Sequence, residues 1–171
     1  MASTYTPIAT YTVSGTTTND VTFNSIPQTY TDLVIISNVR NSQAIATEGF
    51  WFYANGGVNP NSGSDTMLRG DGSAATSSRR TNDYAAKLCD VNASNAASGV
   101  FTTVISNVMN YTNSTTYKTI LTRASDSTNY VEAVVSLWRE TAAITRINLA
   151  TLGAGYFVAG TTFTLYGITA A

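Results

Sequence analysis

Histidine is absent from this chain, and cysteine occurs once, at Cys89. Without an imidazole there is no Ser-His-Asp or Cys-His arrangement for nucleophilic catalysis. One thiol with no histidine cannot supply the usual ligands of a zinc site. A lone cysteine also closes no internal disulfide, so Cys89, between Leu88 and Asp90, reads as a small buried hydrophobe. Charge is scarce: nine Lys and Arg stand against ten Asp and Glu, for a net charge of −1, which argues against a nucleic-acid partner. No apolar run approaches the roughly 20 residues needed to cross a bilayer, so no membrane partner is expected. The start, Met1-Ala2-Ser3-Thr4-Tyr5, has neither the basic nor the apolar region of a secretion signal, which points to synthesis in the cytoplasm.

Polarity is carried instead by Thr, Ser and Asn. These solvate a surface without charging it, and low net charge weakens the repulsion that keeps soluble monomers apart, so composition favours assembly. The dominant pattern has the period of a strand. Val131, Ala133, Val135 and Leu137 share one parity, and Tyr130, Glu132, Val134, Ser136 and Trp138 the other. Similar alternation runs through Val21 and Phe23, Leu33 to Val39, Val100 to Val108, Tyr117 to Arg123, Ile144 to Leu149 and Phe163 to Gly167. Turn residues such as Asn55-Gly56-Gly57 and Asn110 to Ser114 separate these runs. Pro7 makes residues 1–13 an edge strand or extended arm, because proline cannot donate to a ladder. Tyr84 to Val91 fits either a helical turn or a strand. No helical spacing is sustained, and eight to ten short strands predict an all-β fold. The expectation is one antiparallel β-sandwich, jelly-roll-like, spanning 1–171.

Residues 56–83 show hardly any periodicity, and a loop of that length in a compact domain is usually functional, which makes it the leading candidate for an interaction loop, with Arg69, Arg79 and Arg80 in it. Val34 and Ile36 give the Leu33 to Val39 strand a second apolar face, covered either by a loop of the same subunit or by another subunit. Trp51, Tyr53, Tyr111 and Trp138 suit a sugar-stacking platform, and equally a sandwich core or an interface. Glu132 and Glu140 would lie ~26 Å apart on one extended strand, too far for a glycosidase pair within it; acids from different strands could still meet, but no catalytic residue is assigned. Gly70-Asp71-Gly72 with Asp65 lacks the ligand spacing of a calcium loop and reads as a solvated turn, so no metal or cofactor is assigned.

Four stretches carry a resemblance: TYTPIATYTV at 4–13, VTFNSIPQTYTDLVI at 21–35, MNYTNSTTYKTILTR at 109–123, and SLWRETAAITRINL with GTTFTLYGI within 136–168. In these the chain resembles small tailed-phage virion proteins, with 56–91 as the unmatched part. The resemblance implies a β-sandwich or jelly-roll component on the outer surface of a virion: a capsid decoration (cement) protein, a head fibre, or the receptor-binding portion of a tail fibre. Decoration proteins of this kind sit as homotrimers and clamp the major capsid protein against internal pressure. One domain without a coiled-coil or β-helical shaft favours decoration over a tail-fibre tip that binds host glycan.

Overall fold

A computed structural model of the chain describes residues 4–15, 18–57, 59–126, 128 and 130–169. Among these the alternating runs become twelve strands: β1 (Tyr5–Thr12), β2 (Asp20–Phe23), β3 (Asp32–Val39), β4 (Thr47–Ala54), β5 (Gly63–Gly70), β6 (Ala75–Asp83), β7 (Ala86–Asn92), β8 (Thr102–Val108), β9 (Lys118–Asp126), β10 (Tyr130–Trp138), β11 (Ile147–Ala150) and β12 (Thr162–Ile168). They form two antiparallel sheets, with strand orders β1-β12-β3-β8-β9-β10-β5-β6 and β2-β11-β4-β7.

Eight of these strands pair in a nested way: β1 with β12, β2 with β11, β3 with β8 and β4 with β7. The chain thus behaves as one long hairpin, and the contacts β12 to β3 and β11 to β4 roll it up. That winding is a jelly roll of two four-stranded sheets. Two hairpins are inserted into it, β5–β6 between β4 and β7 and β9–β10 between β8 and β11. They join at the β10–β5 ladder and extend one sheet by four strands.

The core lies between the sheets. Phe50, Phe157 and Phe163 pack with centroids 5.0 to 6.1 Å apart, and Phe52 meets Trp138 edge-on at 6.2 Å. Leu33, Ile35, Leu88, Ile120, Ile144, Ile147 and Leu149 fill the space around them. Each such burial stabilises by ~1.5–3 kcal/mol before conformational entropy is set against it. Cys89 is buried here, as its setting implied. At Asn55 and Gly56 φ is positive at both residues, and the turn there ends β4. Gly63 admits no side chain: a Cβ would lie 2.0 Å from the Ala85 carbonyl oxygen, so glycine lets the inserted hairpin start against the backbone before β7.

The structure corrects the expected loop at 56–83. Most of it is the β5–β6 hairpin, held by pairing with β10. Tyr84 to Val91 resolves as strand, chiefly β7. The first three residues of the expected N-terminal arm lie outside the described residues; from Tyr5 the segment is edge strand β1, whose register shifts beside Pro7.

Candidate functional site: the outer face of the larger sheet

β10 decides the character of the extension. Its parity of Glu132, Val134, Ser136 and Trp138 points inward and is buried, while Val131, Ala133, Val135 and Leu137 face out. Beneath the extension lies β7, and between them sits a layer of paired charges. Arg69 donates to Glu132 through Nε at 2.7 Å and reaches both Glu132 and Asp90 through its terminal nitrogen. The Asp90 N–H donates to the other Glu132 oxygen at 2.8 Å, and Lys87 pairs with Asp90 at 2.5 Å. Arg69 also stacks on Tyr130, 3.9 Å from its ring centre. Burial pushes the Glu132 carboxyl above the ordinary carboxylate range, a rise only partly offset by the Asp90 N–H and by Arg69. Burial alone would lower Arg69, but the Glu132 and Asp90 carboxylates outweigh it and hold the guanidinium above its usual value. Further along, Arg80 pairs with Asp65 and Asp83 and stacks on Trp51 at 4.4 Å.

The outer face is the reverse. Leu68, Ala133, Arg123, Ile105 and Ile36 stand side by side across β5, β10, β9, β8 and β3. The next row reads Arg79, Thr66, Val135, Leu121, Asn107 and Val34. On the other side lie Gly70, Val131, Ser125, Thr103 and Asn38. Leu68 is 61% exposed, Val131 58% and Val135 53%, with Leu121 at 41% and Ile36 at 38%. Together they bare apolar area on the order of a few hundred Å², the size of the largest patch on an ordinary monomer, which is often functional. Small residues at Gly70, Ala75 and Ala133, set between Leu68, Val131 and Arg123, sink the face into a hollow of about 450 Å³. None of these three rows contains Asp or Glu, and Arg79 and Arg123 are their only charges.

The sheet edges, in contrast, are guarded. Edge strand β6 carries Arg79 and Arg80, and the opposite edge, β1, is interrupted at Pro7. Charged and proline-bearing edges resist strand-to-strand association.

Of the residues singled out from sequence, Ile36 and Arg79 are exposed on this face. Val34 shares its parity but is buried, between Tyr166 and Asn107 on the neighbouring strands. Tyr111 and Trp138 are not surface residues: both are buried in the core, where the Tyr111 hydroxyl donates to the Pro27 carbonyl. Trp51 and Tyr53 are half-buried on β4, and Arg69 and Arg80 are drawn inward by their carboxylates. Glu140 accepts from Ser62 Oγ at 3.2 Å and from Asn59 at 3.4 Å, apart from the Glu132 layer. The exposed residues not anticipated are Leu68, Leu121, Arg123, Val131 and Val135. Their one legible signal was the unbroken apolar parity of β10.

Asp71, in the β5–β6 turn, accepts from the Ala74 N–H at 2.7 Å and from the Ser73 N–H and hydroxyl at 2.8 Å. These bonds, the Ala74 N–H foremost, hold its carboxyl at about 2. A folded value below the unfolded one contributes stability that is full above ~3.9 and lost as pH falls through about 2. Asp71→Asn keeps an acceptor but not the titration, so its melting temperature is expected to fall less steeply than the wild type's on acidification below pH ~4. Equal acid slopes would refute this. Asp65 is occupied by Arg80 well away from the turn, so the two acids considered for calcium do not converge.

No protein-family model matches this chain, and no curated protein matches it in sequence.

Proposed function

We propose that the chain is a structural protein of a phage particle, a capsid decoration protein that assembles as a homotrimer on the outside of the head and clamps the major capsid protein. The trimer rests on the sequence resemblance, and the observation that carries the shell-binding part of this reading is the bare, carboxylate-free outer face of the sheet extension. It is an adhesive surface on a rigid scaffold. The sequence resemblance to virion proteins points the same way. Glu132 and Asp90 do come together, but both are neutralised by Arg69 in the layer beneath β10, while Asp65 is held by Arg80 and Glu140 by Ser62. A tail-tip role in binding host glycan draws less support, because Trp138 and Tyr111 lie in the core and Trp51 is stacked under Arg80.

The action is by mass action: a protein that binds the assembled shell and not its dissociated subunits stabilises the shell, by ~2.7 kcal/mol per site at a hundredfold excess over Kd. Purified chain is expected to sediment as a trimer and to bind expanded, undecorated capsids saturably, raising their disruption temperature. A chain that stays monomeric at high concentration and leaves capsids unbound would end this reading.

A further inference from the structure

The four-strand extension turns its charges inward and its aliphatic side chains outward, an inversion that costs solubility unless the face is covered. Both arginines on the face, Arg79 and Arg123, make no ion pair among the described residues, whereas the inward Arg69 and Arg80 each have carboxylate partners. Arg79 on β6 and Arg123 on β9 are three strands apart and offset by two residues along the strands, roughly 16 Å at the usual strand spacing and rise. They bracket the apolar ground of Leu68, Val131 and Val135.

We infer that this face docks a protein surface of the opposite pattern, apolar side chains bracketed by Asp or Glu. The inference rests on the decoration reading, under which that surface belongs to the shell. Charge complementarity selects the occupant. A second copy presenting the same face would bring four guanidinium groups together with no carboxylate among the facing rows to meet them, and like charges so placed oppose association. Edge pairing between copies is opposed by Arg79 and Arg80 at one edge and Pro7 at the other. An acidic and apolar partner satisfies both requirements at once: its carboxylates meet Arg79 and Arg123, and its side chains fill the hollow beside Leu68 and Val131.

The test uses the whole chain and expanded, undecorated capsids from the phage that encodes it. Two double variants are compared with wild type, Val131→Asp with Val135→Asp, and Arg79→Glu with Arg123→Glu. Ser98→Glu, exposed in the β7–β8 loop, serves as control. Melting and circular dichroism establish that each is folded. The arginine pair makes no ion pair among the described residues, so it tests the face even if the aspartates unfold the hairpin. Expected are capsid binding by wild type and control that weakens as salt rises, a loss of about tenfold or more in both double variants, and unchanged sedimentation of all four. Wild-type binding with both double variants bound as tightly would overturn the inference and leave the decoration reading standing. Dissociation of the oligomer by either double variant would make the face a contact between copies and also overturn it. No capsid binding by wild type would defeat the decoration reading itself, and this docking with it.

Discussion

Trp138→Ala is expected to destabilise the domain by about 3–5 kcal/mol. Trp138 is among the largest fully buried side chains, at the end of β10, where Gly63 of β5 and Lys118 of β9 flank it and Phe52 meets its ring edge-on. Alanine would leave a cavity where the jelly roll meets the inserted hairpins, and backbone held in two ladders cannot collapse to fill it. For a domain of this size the melting temperature should fall on the order of 10 °C. Its indole N–H finds no acceptor among the described residues, so Trp138→Phe removes an unsatisfied donor along with some volume and should cost under ~1.5 kcal/mol. Urea denaturation followed by circular dichroism measures both. An alanine variant within ~1 kcal/mol of wild type would mean that the ring does not fill the core as described.

Glu132→Ala is the second large effect, expected at about 2–3 kcal/mol. The substitution strips Arg69 of its main partner and leaves the Asp90 N–H without an acceptor. The loss falls short of that for a fully buried pair, because Arg69 keeps Asp90 and remains a quarter exposed. Glu132→Gln separates shape from charge. Burial raises the folded-state value of Glu132, so its contribution is full below ~4.3 and is lost as pH rises through the raised value. The glutamine variant has no such decline, and its stability relative to wild type should therefore improve as pH rises across that window. A relative stability that worsens instead would show that the Arg69 pair outweighs burial. Paired urea titrations across the window distinguish the two.

The strands that sequence made legible are those with a clean two-residue period. β8, β9, β10 and β12 do bury alternate residues, so the period itself was readable, though not which of its two sets faces in. Pro7 marked the edge and Asn55-Gly56 the turn. β5 and β6 escaped because their side chains, largely Ser, Thr, Arg and Asp, show no apolar alternation on either face. Their extended state comes from the ladder that β10 offers, and that partner lies more than sixty residues further along the chain. Ambiguous aromatics were settled by the same distant packing. Trp138 and Tyr111 suited a platform or a core, and only the opposing sheet made them core.

The sequence by itself determined that this is a β protein, since a period of two can be satisfied by strands and by little else, and it determined where most of the strands turn. It did not determine the sign of that alternation in β10. On hydrophobicity alone Val131, Ala133, Val135 and Leu137 would be the buried set. The fold buries the other set because β7 brings Lys87, Asp90 and the Asp90 N–H beneath it, while Arg69 arrives from β5 to complete the layer. With those partners Glu132 can be inside, Trp138 can fill the core, and the aliphatic row is left facing out. Which face of a strand is buried depends on what the rest of the chain carries to it, and only the tertiary structure contains that.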